Sequence, residues 1–501
     1  MQGRPNVVFL LPDQLRADFL SCYGATFIET PNIDSLAAHG VRYANAFSAS
    51  PLCVPARTAL LTGMNALRNG VLDNLRSLRP DYREAGIRTW PELLIEGGYQ
   101  TSAIGKMHFY PWDDERGFQH RVVAEDKRWL LIQDDYEEFL SSRGLRKLHG
   151  KEHEGYEANK GAVVSRIPWE DSPDRFVGQK ACDFIREQGD RPFALMVGFP
   201  GPHDPYDPDP RFLARIDAAK LPKALPEVLK DTGNLRARNV SGYRRPWADL
   251  DYADFPEDTK ARIRAHYAAL VLQIDHEVGQ ILGALRETGK LENTVVILSS
   301  DHGDYLGDHN LIGKASFFES AIRVPLVVRL PGVADAAVCE ELVELRDVTP
   351  TMLEFAGCAV PAYMDARSLP GAGMPGNRGR GSIVGFLADG WMIFDGRYKL
   401  HKYDTGDVLM YDIGSDPGEQ HNLARVPSFA GVVERLDAAL TREVMQSVQA
   451  AMHDRLASAD GLVYSASFGK RRWRRPWPHA VLPADACATD ARVEDDVTKD
   501  A

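Results

Sequence analysis

Asn6–Gln14 reads NVVFLLPDQ: an uncharged run, then a proline, a carboxylate and an amide. An apolar run without alternation marks a strand buried on both faces, the habit of a parallel sheet covered by helices. Outward from it the same unit recurs. Tyr99–Ile104 runs into Gly105-Lys106-Met107-His108, and Phe193–Phe199 into Pro200-Gly201-Pro202-His203. Thr294–Leu298 runs into Ser299-Ser300-Asp301-His302-Gly303-Asp304, and Val324–Leu330 stops at Pro331-Gly332. Between these runs lie helical patterns: Thr30–Gly40 and Thr89–Gly97, each with proline early and glycine late, Phe176–Glu187, and the long amphipathic Asp258–Gly289. The alternation predicts an α/β fold, a mostly parallel sheet with helices on both faces. Polar clusters follow the same end of strand after strand. Ligands of open α/β sheets bind just outside the carboxyl ends of the strands, so these clusters are expected to converge on one site.

The intervening segments 117–174 and 204–256 are long, polar and irregular, and insertions at that end of a sheet shape substrate pockets. From Gly371 to Arg380 the composition shifts to Gly, Pro and Arg. Beyond it Ser382–Phe386, Trp391–Phe394, Tyr398–His401 and Leu409–Asp412 read as short antiparallel strands, and Phe429–Leu456 contains a helix. The expected organisation is a catalytic domain over 1–375, a smaller C-terminal α+β subdomain over 376–480, and a disordered acidic tail over 481–501. The segment GKRRWRRPWP, with Arg471–Arg475, reads as a solvated or subunit-contact face.

The chain has 501 residues and a net charge of −12, which argues against a nucleic-acid or general polyanion partner but not against a local anion site. No apolar run is long enough to span a bilayer, and the N-terminal run ends in Pro-Asp-Gln without a small-residue cleavage site. The six cysteines show neither paired nor metal-ligand spacing. The expectation is a cytoplasmic protein that engages no membrane. Assembly into a homo-oligomer is compatible with the sequence.

The most reactive stretch is Ser50–Gly63, SPLCVPARTALLTG. Pro55 suits the first turn of a helix and Gly63 the residue past its end. Cys53 therefore sits at a helix N-terminus, where negative charge is favoured, and Arg57 adds a positive charge one turn on. A sulfur there is a reactive thiolate or the source of something made from it. Asp13, Gln14, Asp301 and His302 offer three oxygen donors and an imidazole. That set suits a hard divalent cation and widens the choice toward manganese.

Cys53-x-Pro55-x-Arg57 with the following T-A-L-L-T-G resembles the signature of the type I sulfatases of the alkaline phosphatase superfamily, and the resemblance runs from Asn6 to about Leu423. It implies an alkaline-phosphatase-like fold and hydrolysis of a sulfate monoester, small-molecule or glycan. It also implies a partner, the formylglycine-generating or another sulfatase-maturing enzyme, that converts Cys53 to 3-oxoalanine. One hydroxyl of the hydrated aldehyde attacks sulfur. By the same resemblance Asp13, Gln14, Asp301 and His302, with the residue made from Cys53, hold one divalent cation. Asn74 approaches the nucleophile, and Arg57 and Lys106 steady it and the sulfate oxygens. His203 and Lys314 contact sulfate, one of the two protonating the leaving group. His108 takes a proton from the second hydroxyl, expelling sulfate.

The Asp-Gln and Asp-His pairs depart from the commonest arylsulfatase pattern of Asp-Asp early and Asp-Asn late. They are similar to the choline sulfatase and phosphonate monoester hydrolase branch, so Ca2+ and Mn2+ both stay open. A phosphonate monoester or phosphodiester hydrolase is the alternative within the superfamily, and a non-catalytic anion-binding homologue the alternative outside enzymes. Three further features read as structural: His309 behind the reacting groups, an ion pair between Glu319 and Arg323, and a capped helix start at Asp347–Thr351.

Overall fold

The computed structural model describes residues 4–333, 335–372 and 377–453. One sheet holds eight strands: β1 (Asn6–Leu10), β2 (Gly40–Phe47), β3 (Gln100–Gly105), β4 (His120–Val123), β5 (Phe193–Gly198), β6 (Thr294–Ser299), β7 (Leu326–Arg329) and β8 (Ala337–Glu344). Their spatial order is β4-β3-β5-β1-β6-β7-β2-β8. The five from β4 to β6 run parallel, β7 is antiparallel to both its neighbours, and β8 is parallel to β2. This is the mostly parallel sheet that the uncharged runs predict.

Its central strand shows why those runs lack alternation. Val8 and Leu10 point into one core and Val7 and Phe9 into another, and all four are buried. Fully burying such a side chain stabilises the fold by about 1.5–3 kcal/mol. The first core is covered by the helices Pro173–Glu187 and Glu257–Glu287, through residues such as Phe176, Ile185, Tyr267 and Ile274. The second is covered by Cys53–Thr62, Trp90–Glu96 and Val348–Phe355, through Leu60, Leu94 and Met352. Helices thus lie on both faces, as expected.

Three strands escape the sequence pattern. β2, GVRYANAF, carries Arg and Asn at its centre, and β8, AVCEELVE, carries three glutamates, being the outermost strand on its side and buried only at its last two residues. β4 is a four-residue edge strand, HRVV. The ion pair expected between Glu319 and Arg323 does not form. Glu319 instead reaches Lys399 at 2.7 Å, and Arg323 donates to the Ala44 carbonyl at 2.9 Å.

A second, antiparallel sheet holds β9 (Ile383–Leu387), β10 (Gly390–Phe394), β11 (Tyr398–Tyr403) and β12 (Val408–Asp412), in order β12-β11-β10-β9. One face packs Leu400 and Met410 against Leu436 and Leu440 of the helix Ala430–His453. The other packs Met392 and Tyr411 against Phe317 and Phe318. Asp81–Gly86 belong to a unit separate from the rest of the described chain. The basic segment around Arg471–Arg475 and the tail 481–501 lie outside the described residues. Among the described residues no helix is long and apolar enough to cross a membrane.

Where β3 passes β5, two glycines allow a close approach. A Cβ on Gly198 would fall 2.1 Å from the Lys106 carbonyl oxygen, and one on Gly105 would fall 2.1 Å from that of Gly198. Gly198→Ala is therefore expected to destabilise the protein by about 2–4 kcal/mol through forced backbone movement. Denaturant unfolding measures this, and an unchanged midpoint would contradict the close approach.

Candidate active site

The loops after β1 and β6 are locked to each other. Gln14 adopts a φ of 72°, and its N–H donates to Asp301 Oδ1 at 3.0 Å. Ser300 Oγ accepts from the Leu15 N–H at 2.7 Å. Tyr267, from the long helix behind the sheet, donates its hydroxyl to the Gln14 carbonyl at 2.7 Å and accepts from the Arg16 N–H at 2.8 Å. The helix Cys53–Thr62 meets these loops end-on. It begins at Cys53 and closes at Gly63, whose φ of 66° is left-handed, as the sequence predicts. Asn74 Oδ1 accepts the Val54 N–H at 3.1 Å, one of the free donors at that helix start.

Ligand atoms of Asp13, Cys53, Asp301 and His302 lie within 4.8 Å of one another, and all four residues are buried. Cys53 Sγ is 3.2 Å from His302 Nε2 and 3.8 Å from Asp13 Oδ1. His302 Nδ1 faces the Gly303 carbonyl at 3.0 Å, so Nδ1 carries the proton and the Nε2 lone pair points into the cluster. Arg57 bridges the two carboxylates, with Nε on Asp301 Oδ2 at 2.9 Å and a guanidinium nitrogen on Asp13 Oδ2 at 3.3 Å. Lys106 Nζ lies 2.6 Å from Asp13 Oδ2 and 3.1 Å from Asp126 Oδ2.

Burial and the Cys53 sulfur push the Asp13 carboxyl up, but Lys106, His203 and Arg57 outweigh them and hold it below the usual range. Burial likewise raises the Cys53 thiol, and Lys314, Lys106, His302 and His108 draw it well below its ordinary value. The donor set fits a divalent cation. It brings two carboxylates and an imidazole lone pair to one buried point, where free carboxylates without a counter-charge would be costly.

Opposite the cluster stand His203 and Lys314. His203 Nδ1 is 2.8 Å from the Asp204 carbonyl oxygen, so its proton lies there and Nε2 is the acceptor. Lys314 Nζ reaches that Nε2 at 2.6 Å and Arg128 reaches it at 3.2 Å. Lys314 also donates to the side-chain oxygen of Gln14, whose amide nitrogen donates to Asp304. His108 has a φ of 57°, and its N–H donates to Glu125 Oε1 at 2.9 Å. Both its ring nitrogens are buried without a hydrogen-bond partner. Every site residue named from the sequence is thus brought to this end of the sheet, whereas His309 stacks on Phe318 with centroids 4.1 Å apart.

The sequence reading misses Asp126 and Arg128. Arg128 grips Asp126 through two nitrogens, at 2.9 and 2.7 Å, and touches Asp204 Oδ2 at 3.1 Å. These residues follow β4 and obey the same strand-end rule, but the strand that would have flagged them is short and half exposed. From the site a cavity of about 460 Å3 opens outward, lined by His108 and Lys314 at one end. Trp129 of the first insertion and Tyr243 and Trp247 of the second also line it, as expected of insertions at this end.

Comparison with known proteins finds that the sulfatase family profile matches residues 5–358. The chain is 33% identical over 390 residues to an arylsulfatase of Clostridium perfringens, covering 73% of this chain and 78% of that protein. It is 28% identical over 512 residues to a choline-sulfatase of Rhizobium meliloti, covering 96% and 94%. Among solved structures, a phosphonate monoester hydrolase of Agrobacterium radiobacter superposes with a TM-score of 0.75 at 23% identity, over 89% of this chain and 96% of that one.

Arg57→Ala leaves Asp13 and Asp301 buried without their shared counter-charge. In chelator it is expected to cost about 3–5 kcal/mol of stability, with partial recovery in Arg57→Lys. Urea unfolding reads this out, and an Arg57→Ala midpoint equal to wild type would contradict the bridge.

Proposed function

The chain belongs to the sulfatase family, and on that premise we propose that the residue made from Cys53 is the nucleophile of a formylglycine-dependent, cation-assisted sulfate monoester hydrolysis. Sulfuric ester hydrolysis itself is the activity shared by the named relatives, among them an arylsulfatase, a choline-sulfatase and an N-acetylglucosamine-6-O-sulfatase. The sulfate reading therefore takes precedence over the phosphonate alternative. The observation that carries the mechanism is the setting of Cys53: a buried sulfur at a helix N-terminus, against His302 and drawn toward the thiolate by Lys314 and Lys106.

A maturing enzyme with its own oxidant converts the Cys53 side chain to an aldehyde, whose hydrate supplies an oxygen nucleophile and a second hydroxyl. Asp13, Gln14, Asp301 and His302 would hold the divalent cation, Ca2+ or Mn2+, which when bound supplies positive charge to the nucleophile and the sulfate oxygens. Lys314 and His203 receive the sulfate from the cavity side. Because Nε2 of His203 is the acceptor in this network, Lys314 is the group with a proton to give to the leaving oxygen. Arg57 and Lys106 keep the nucleophile's surroundings positive, and each such donor aimed at developing charge is worth about 2.7–4 kcal/mol in the transition state. His108, which lines the cavity with Lys314 and has both ring nitrogens without a hydrogen-bond partner, accepts the proton whose loss releases sulfate.

Cys53→Ala is expected to lower kcat/KM on a chromogenic sulfate ester by about a thousandfold or more, and equal activity would refute the assignment. His108→Ala is expected to release one equivalent of alcohol in a burst and then turn over about 10²–10⁴-fold more slowly than wild type. Loss of the burst together with the steady state would contradict a role confined to sulfate release.

A further inference from the structure

Resting on the sulfatase reading, we infer that the alcohol part of the substrate is a flat aromatic group rather than a sugar. The cavity that opens from Lys314 and His108 is walled by two aromatic pairs. Tyr110 and Trp129 stand with ring centroids 5.8 Å apart, and Tyr243 and Trp247 stand 4.9 Å apart. Leu52, Leu235 and Leu311 line it too.

The polar groups on the same wall are largely engaged with the protein. Arg238 is held by Asp389 at 2.5 Å and Asp404 at 3.3 Å. Asn239 is used at both ends, donating to the Ile312 carbonyl at 2.7 Å and accepting from the Ile312 N–H at 3.1 Å. The Tyr305 hydroxyl and Ser316 Oγ pair at 2.5 Å. Asp73 accepts from the Leu75 N–H at 2.9 Å and pairs with Arg76 at 3.1 Å. Arg128, fixed by Asp126 and Asp204, lays its guanidinium over the Trp247 ring at 4.6 Å from the centroid. Arg245, which also lines the cavity, is exposed to solvent.

A sugar entering here would give up water at each hydroxyl and find few free partners. Each unreplaced hydrogen bond weakens binding by about five- to hundredfold. An aromatic ring loses nothing of that kind, and it gains apolar burial and edge or face contacts with the two ring pairs. The Arg128–Trp247 stack holds one wall in place, so Trp247 is the specificity-determining residue. The sulfate stays at the Lys314 end, where Lys314 is held by Gln14 and His203 and forms no ion pair with a carboxylate among the described residues.

The test separates this inference from the sulfatase reading by measuring binding as well as turnover. Isothermal calorimetry on the full chain with 2-naphthol and with glucosamine reads the cavity without any chemistry. The expected result is a Kd for 2-naphthol at least about a hundredfold lower than for glucosamine. Trp247→Ala is expected to weaken naphthol binding by about tenfold, and Trp247→Phe, which keeps a ring, to restore most of it. Matched kcat/KM values for 2-naphthyl sulfate and glucosamine 6-sulfate should follow the same order. Glucosamine binding as tightly as naphthol, or a Trp247→Ala variant with unchanged naphthol affinity, overturns the inference. Selective naphthol binding without turnover of either ester upholds the cavity assignment and overturns the sulfatase reading instead.

Discussion

Two carboxylates, Asp13 and Asp301, are buried at the carboxyl ends of adjacent parallel strands, and one guanidinium, Arg57, bridges them. Much of the site's arrangement follows from satisfying those charges. Buried carboxylates persist only with counter-charges and hydrogen bonds of good geometry. Arg57 can supply both because its helix starts at the cluster, and the same helix start delivers Cys53. Lys106 extends the chain of charge to Asp126, Asp126 to Arg128, and Arg128 to Asp204 and His203. Arg57 and Lys106 are therefore fixed by Asp13, which with Asp301 belongs to the cluster able to hold a metal, in one continuous buried network.

The small antiparallel sheet serves the same end from the other side. Its inner face packs on Phe317 and Phe318, just after Lys314. Fully buried Lys399 of β11 ties that segment down, reaching Glu319 at 2.7 Å and Glu419 at 2.8 Å. Lys314, which lines the cavity, is thus carried on a loop held by aromatic packing and by a buried ion triad. Loops anchored in this way keep catalytic groups within the small tolerances that positioning demands.

The central strands were legible because burial on both faces gives a run such as NVVFLL without alternation, and the strand-end rule then gathered Asp13, Gln14, Lys106, His108, His203, Asp301 and His302 without regard to family, whereas Asn74 and Lys314 came from the resemblance alone. What stayed illegible lies at or beside the edges. β4 and β8 are edge strands that meet solvent, and β2, though paired on both sides, carries half-buried Arg42 and Asn45 at its centre, so periodicity marks none of the three. Missing β4 meant missing Asp126 and Arg128, which sequence alone shows only as charges in an irregular insertion. The pairing expected for Glu319 and Arg323 failed for a related reason. Four residues apart on one short turn, they looked like natural partners, but a buried lysine from another sheet offered Glu319 a less hydrated, stronger contact.

The central claim is that Cys53 is not the final nucleophile but its precursor. Peptide mass spectrometry of the Cys53-containing fragment, from protein purified out of its own host, tests this most directly. The account predicts that the fragment carries an aldehyde in place of the thiol, with the corresponding loss of mass and reactivity toward a hydrazine probe. A fragment with an intact thiol, from a preparation that hydrolyses sulfate esters at full rate, would contradict it.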